Sequence, residues 1–280
     1  MIFRNWKEKI YLLLKKANID NSNTGHIFWI FYKLYIKAYN YIKYSDAYFF
    51  RSVAIEISTF CNRTCYYCPN LLEETPVDFM AEETFYEIID QLKEINYSGI
   101  ILYHFYNEPL LDKRLPNFIR YVKTNLPNCV SRVVSNGDFL STDLADNLIN
   151  AGVLDIMITI HDIDGENFSN KLRPVLTKYP EYIHVNSIHD EPISNRGGAI
   201  KVKQLDKKDT CTDPLTSLTL DHKGNVLLCC NDYYRKHSFG NITHAKIYKI
   251  WHSEDFSRLR EELRNGVANL EICRKCMGRE

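Results

Sequence analysis

The sequence has no excess of either charge, no apolar run long enough to cross a bilayer, no internal repeat and no low-complexity tract. Its 280 residues carry 35 Lys+Arg against 35 Asp+Glu. Such a balance gives no global attraction for nucleic acid or an acidic membrane, and no nucleic-acid partner is expected. The longest apolar candidate, Ile27 to Ile36, is interrupted by Lys33, and a spanning helix needs about 20 apolar residues. No signal peptide is read, because Leu12-Leu13-Leu14 is followed at once by Lys15-Lys16. The nine cysteines are an odd count, which argues against a secreted disulfide scaffold. The chain is 45% hydrophobic and 13% aromatic, ample for a packed core and incompatible with disorder. The expectation is a cytoplasmic protein, in a reducing compartment, whose cysteines bind metal.

Three regions differ in texture. Residues 1–50 hold eight Lys/Arg against three Asp/Glu. Helices over 5–18 and 26–43 fit, separated by Asp20-Asn21-Ser22-Asn23 and Gly25. The preferred reading is a helical extension packed on the adjoining domain; the alternative is a basic, aromatic helix on a membrane surface. Residues 51–204 alternate strand and helix. Strands are predicted at Ser52–Ser58, Gly99–His104, Val130–Ser135, Leu154–Ile160 and Tyr182–Ser187, with a sixth at Ala199–Val202. Helices are predicted at Ala81–Ile95, Leu115–Asn125, Thr142–Ala151 and Gly165–Lys178. This rhythm predicts an α/β fold, a parallel sheet with outer helices. About 150 residues are too few for a full eight-unit barrel of ~250, so a partial (β/α)6 barrel is expected. The chemistry of such folds sits at the carboxyl ends of the strands. Residues 205–280 are expected to form a small separate domain. It comprises a β-hairpin, Leu215–Leu220 and Asn225–Cys229 about Asp221–Gly224, and a helix near Lys246–Asn265.

Cys61, Cys65 and Cys68 form C-x3-C-x2-C just past the first predicted strand. Cubane iron–sulfur clusters are normally held by four thiolates. Three would leave one iron open to a small molecule. Structural zinc is the alternative, but it wants four closed ligands and no fourth cysteine is local. With these cysteines, the sequence resembles the radical S-adenosylmethionine (SAM) superfamily, in which an aromatic precedes the third cysteine, here Tyr67. Tyr106-Asn107-Glu108-Pro109 is similar to that family's Gly-Gly-Glu-Pro, which holds the methionyl amino group. Tyr and Asn replace its two glycines. Ser135-Asn136-Gly137 is similar to its Thr/Ser-Asn-Gly at the third strand end. Ile158-Thr159-Ile160-His161-Asp162 resembles the fourth-strand pattern near the ribose, with His161 where an acid is usual. The resemblance implies a [4Fe-4S] cluster on Cys61, Cys65 and Cys68. It implies SAM contacts from Tyr67, Asn107, Glu108, Pro109, Ser135, Asn136, Thr159 and His161. It implies reductive cleavage of SAM to a 5′-deoxyadenosyl radical.

Cys211, Cys229, Cys273 and Cys276 make two further pairs. Four thiolates close around zinc or around a cubane, and spacing alone does not choose. The tail resembles the SPASM and twitch auxiliary-cluster domains of radical SAM enzymes, with room for one cluster. That resemblance implies a second [4Fe-4S] cluster. Cys230 reads as a buried thiol or as a hydrogen-atom donor. Arg196, in Ser194-Asn195-Arg196-Gly197-Gly198, reads as a substrate ligand or a solvated loop residue. His104 reads as a core histidine and Cys129 as structural. A closed auxiliary cluster can accept the second electron of a dehydrogenation. The preferred expectation is an oxidoreductase acting on a small polar molecule such as a sugar or aminocyclitol. An external donor such as flavodoxin or ferredoxin is implied. A redox-neutral epimerase, a peptide-modifying maturase and a non-enzymatic electron carrier or zinc module are the alternatives.

Overall fold

A computed structural model of the protein describes residues 23–74, 76–161, 165–188, 193–202 and 207–279. The chain divides into two units, Met1–Phe49 and Phe50–Glu280. In the first, helix α1 spans Asn23–Tyr44. Its end is tied to the segment just after it: Asn40 Nδ2 donates to the Phe49 carbonyl at 3.1 Å, and Tyr44 stacks on Phe49 at 4.2 Å. The helix predicted over 5–18 lies outside the described residues. Among the described residues no helix is long and apolar enough to cross a membrane.

The second unit alternates strand and helix. In order these are β1 (Ser52–Ile55), α2 (Glu82–Glu94), β2 (Ile100–Leu102), α3 (Leu115–Asn125), β3 (Val130–Ser135), α4 (Thr142–Ala151), β4 (Asp155–Ile160), α5 (Gly165–Lys178) and β5 (Ile183–Ser187). Local chemistry sets the helix ends. Glu82 and Glu83 open α2 and Lys93 sits in its last turn, each complementing the helix dipole. Ser141 Oγ accepts from Leu144 N at 3.2 Å at the start of α4. Gly152, at φ 109°, ends it in a left-handed conformation. The strands pair in parallel in the order β5-β4-β3-β2-β1, and the helices cover one face. There Phe85 of α2 stacks on Phe118 of α3 at 4.2 Å and lies 6.3 Å from Tyr103. All three are fully buried, and burial of each such ring stabilises the fold by about 1.5–3 kcal/mol.

Tyr103 therefore faces the helices. Successive side chains of a strand point to opposite faces, so Leu102 and His104 face the barrel interior. By the same alternation Thr159 and His161 share a face opposite the fully buried Ile156 and Ile158.

The sixth parallel strand is not where the sequence predicts it. Ala199–Val202 forms no strand. Gly197 and Gly198 take φ 65° and 91°, and Gly198 N and Ile200 N both donate to the Asn195 carbonyl at 3.0 Å. That closes a turn. After a short helix α6 (Asp213–Thr216), β6 (Ser217–Leu220) pairs parallel with β1, Ser52 against Ser217. It also begins the expected hairpin, antiparallel to β7 (Asn225–Leu227). β8 (Ser238–Asn241) follows antiparallel at the edge. Leu218, Thr219 and Leu220 are almost fully buried, as a strand enclosed on both faces must be. The helix predicted over Lys246–Asn265 is two helices, α7 (Ile247–Trp251) and α8 (Glu254–Arg264). Ser253, extended at φ −60° and ψ 150°, breaks the run ahead of Glu254 and Asp255. A last helix, α9 (Glu271–Cys276), carries two cysteines.

Candidate active site

The strand ends bring the predicted residues together in two centres. At the first, the loop after β1 carries Cys61, Cys65 and Cys68, all half-buried. Cys68 N donates to the Cys65 carbonyl at 2.9 Å, which turns the loop so that the thiols neighbour one another. Burial pushes the Cys61 thiol up to about 11, with Cys65 and Cys68 adding to it. A soft cation that takes thiolates must displace these protons.

Three ties fix that loop to neighbouring strand ends. Glu108 N donates to the Phe60 carbonyl at 2.9 Å. Asn70 Nδ2 donates to the Tyr106 carbonyl at 2.8 Å. Arg63 grips Asp138 with two bonds of 2.6 Å, and Asn62 Nδ2 donates to the same carboxylate at 2.7 Å. The Arg63 guanidinium holds Asp138 below the usual carboxylate range. Asn62, Arg63 and Asp138 are not singled out by the sequence, since only opposite charges 75 residues apart signal them. Asp138→Ala should lower the iron retained by the three-cysteine loop after desalting and spare the four-cysteine centre, as an iron count per chain will show. The tie is complete above the ordinary carboxylate pKa and is lost in acid, as pH falls through the depressed value.

Glu108 is 2% exposed. Its carboxylate accepts from Ser135 Oγ at 2.7 Å, Asn136 N at 2.8 Å and Leu110 N at 3.0 Å. It locks the end of β2 to the end of β3. Burial raises its pKa against the pull of those three bonds. Asn136 Nδ2 donates to Asn62 Oδ1 at 2.9 Å, so the β3 end also touches the cysteine loop. Asn107 serves its own turn, donating to the Tyr103 carbonyl and accepting from Phe105 N. Pro109 starts a single 3-10 turn. Tyr67 and His161, 94 residues apart, meet through a hydrogen bond from hydroxyl oxygen to Nδ1. Thr159 pairs with Asn186 in the sheet register.

At the second centre Cys211, Cys229, Cys273 and Cys276 line one cavity. Asn231 donates to two of them, N to Cys229 Sγ and Nδ2 to Cys276 Sγ, both at 3.4 Å. Such bonds tune cluster potential. Cys230 is exposed and is not among the residues that line the cavity. Its thiol is 4.0 Å from Asp213 Oδ2. Cys129 is buried at the far end of β3, its thiol 3.4 Å from the Tyr97 carbonyl.

The loop after β5 joins the two centres. Its Gly197 and Gly198 lie against α9: a Cβ on either would stand 2.5 Å from Ile272 Cγ1 or Lys275 Cδ. Asn195 Nδ2 donates to the Lys275 carbonyl at 2.8 Å. Arg196 is left-handed at φ 50°, a cost of order 1 kcal/mol that the docked loop sustains. Its guanidinium lies 5.8 Å from the centre of the Tyr106 ring, and the Tyr106 hydroxyl donates to the Cys230 carbonyl at 3.0 Å. Its charge is felt at Cys68 and at Cys230 alike.

Residues 55–185 match the radical SAM superfamily, and residues 211–277 match the SPASM iron-sulfur cluster-binding domain. The chain belongs to the radical SAM superfamily. The three-cysteine loop lies in the first matched region and the four-cysteine cavity in the second. This radical SAM oxidoreductase takes two [4Fe-4S] clusters and SAM as cofactors. It is 29% identical over 231 residues, 81% of its length and 92% of the relative's, to the S-adenosyl-L-methionine-dependent 2-deoxy-scyllo-inosamine dehydrogenase of Niallia circulans. The crystal structure of BtrN in complex with AdoMet and 2-DOIA is similar at TM-score 0.76 and 28% identity, covering 82% of this chain and 96% of that one. An open conformation of BtrN is similar at TM-score 0.62 and 26% identity, covering 81% and 91%.

Proposed function

We propose that this radical SAM enzyme oxidises a hydroxyl of a small polar substrate, of the aminocyclitol class, to a carbonyl. The observation that supports this is the likeness over 81% of the chain to a relative named a 2-deoxy-scyllo-inosamine dehydrogenase, with Arg196 held on the loop that docks on α9. When bound, SAM on the three-cysteine cluster supplies a 5′-deoxyadenosyl radical, and the four-cysteine cluster supplies an acceptor for one electron.

The chain's own residues then have these roles. Cys61, Cys65 and Cys68 hold the first cluster, and Cys211, Cys229, Cys273 and Cys276 the second. Glu108, Ser135 and Asn136, already bonded to one another, shape the strand ends where the methionyl group rests. Tyr67, Thr159 and His161 line the nucleoside side. Arg196 donates to substrate oxygen. A flavodoxin or ferredoxin of a reducing cytoplasm delivers the first electron.

The test is anaerobic turnover of 2-deoxy-scyllo-inosamine in deuterium oxide, read by mass spectrometry. The expected product is two mass units lighter, with one SAM consumed per product. A product of unchanged formula carrying one solvent deuterium would overturn the reading and make Cys230 the hydrogen donor of an epimerase.

A further inference from the structure

Glu56 follows β1 directly, is fully buried and belongs to neither cysteine set. A carboxylate taken out of water must be paired and hydrogen-bonded. Its partners come from the SPASM region. Arg235 Nη2 donates to Oε1 at 2.7 Å. His222 N donates to Oε2 at 3.1 Å, and His222 Nδ1 lies 3.0 Å from the same oxygen. His222 Nε2 lies 3.2 Å from Asp78 Oδ2, and the Asp78 carbonyl accepts from Thr59 N at 2.9 Å. Arg235 belongs to the connection between β7 and β8, which also carries Cys229. That connection is braced from within. Asp232 N donates to the Cys229 carbonyl at 3.2 Å, and Arg235 N to the Asp232 carbonyl at 2.9 Å. The Asp232 carboxylate, 1% exposed, accepts from Lys236 N and His237 N at 3.1 and 2.8 Å. On the other side, the chain runs from Glu56 to Phe60, whose carbonyl accepts from Glu108 N, and so into Cys61. One buried carboxylate therefore joins the segment that leads to Cys61 to the connection that carries Cys229.

We infer that Glu56, through Arg235 and His222, is the positioning residue that fixes the two cluster sites relative to each other. Its consequence for turnover rests on the proposed alcohol oxidation. The electron left on the substrate carbon has to reach the four-cysteine site, and its transfer needs a fixed separation. Glu56 touches no cysteine and acts through the braced connection. A second contact holds that connection to the barrel: the Tyr106 hydroxyl donates to the Cys230 carbonyl, and the Tyr106 ring meets Tyr233 edge-on at 4.8 Å. Loss of the Glu56 contact should thus misplace the second site without dismantling it.

The test uses the enzyme with both clusters and SAM, and 2-deoxy-scyllo-inosamine as probe. Two quantities are read. One is product per 5′-deoxyadenosine. The other is the magnetic interaction between the two reduced clusters, taken by EPR without the probe. Glu56→Gln keeps the volume and removes the charge. It should keep wild-type iron and broaden or shift the magnetic interaction. It should lower product per 5′-deoxyadenosine about 100-fold, as a misplacement of about 1 Å can. Arg235→Met should do the same, and the double variant should lose no more than either single one, since both act through one contact. Arg235→Lys, which keeps the charge and a donor, should restore most of the coupling. Gln91 of α2 supplies the control. It is another buried tie to the SPASM region, with Nε2 donating to the Ile242 carbonyl at 3.0 Å and Oε1 accepting from Ile247 N at 2.7 Å. Gln91→Ala should lower Tm and leave both quantities at wild-type values; equal uncoupling there would overturn the inference. A wild-type magnetic interaction in Glu56→Gln would overturn it too, whatever the coupling. If Glu56→Gln loses iron, Arg235→Met decides. A wild type that does not oxidise the probe would overturn the substrate reading alone, and the magnetic interaction would still judge Glu56.

Discussion

Replacing Cys61, Cys65 and Cys68 together by alanine should abolish SAM cleavage and remove half of the iron. Each cluster holds four irons, and the two sets of cysteines lie in separate loops, the first after β1 and the second around α6, β7 and α9. The two sets share no cysteine, so the four-cysteine cluster should assemble in the triple variant. Its iron and its visible absorption should persist at about half the wild-type level, as expected for one of two cubanes. No 5′-deoxyadenosine should form even with excess reductant, because the open coordination position is gone. Iron analysis and chromatography of the reaction mixture read both results. Wild-type iron content in this variant would show that the three-cysteine loop holds no cluster.

Cys276→Ala should have the converse effect. It opens the four-cysteine cavity and strips Asn231 Nδ2 of its thiol acceptor. Product formation should fall to background, since the second electron then lacks its acceptor, while 5′-deoxyadenosine still forms. The substrate radical should be quenched instead, returning substrate of unchanged mass. The position is sensitive for a further reason. α9 supports Gly197 and Gly198, so a collapsed cavity also shifts Arg196. Gly197→Ala separates the two effects: its clash with Ile272 displaces the loop and leaves all seven ligands in place. That variant should keep its iron and lose affinity for the probe. If Cys276→Ala keeps full product yield, the four-cysteine cluster is structural rather than an electron acceptor.

The contrast between the two centres shows where sequence reasoning reaches. The cysteines and strand-end motifs were legible because chemistry constrains residue type at short spacing: C-x3-C-x2-C and Glu108-Pro109 are local patterns. Asn62, Arg63 and Asp138 were not, because their ion pair depends on two loops meeting across the sheet. His104 reads as an ordinary core histidine, and only the structure shows its Nδ1 buried without a hydrogen-bond partner. Glu108 looks like a ligand for SAM, yet its carboxylate already binds three donors of its own chain. Its first duty is therefore to join two strand ends.

By itself the sequence determined the α/β rhythm, both cysteine sets and the order of motifs along the strand ends. Alternation of apolar residues, helix-capping residues and thiol spacing are each written within a few positions of one another. The tertiary structure alone decided which segment became the sixth parallel strand. Ser217–Leu220 carries the same apolar run whether it pairs only with β7 or with β1 as well, and pairing partners distant in sequence leave no local mark. The glycine turn at 197–198 forbade a strand at Ala199–Val202 and sent Arg196 to α9 instead. That docking, between segments 80 residues apart in the chain, fixed the loop that carries Arg196 on the helix that carries two of the four cysteines.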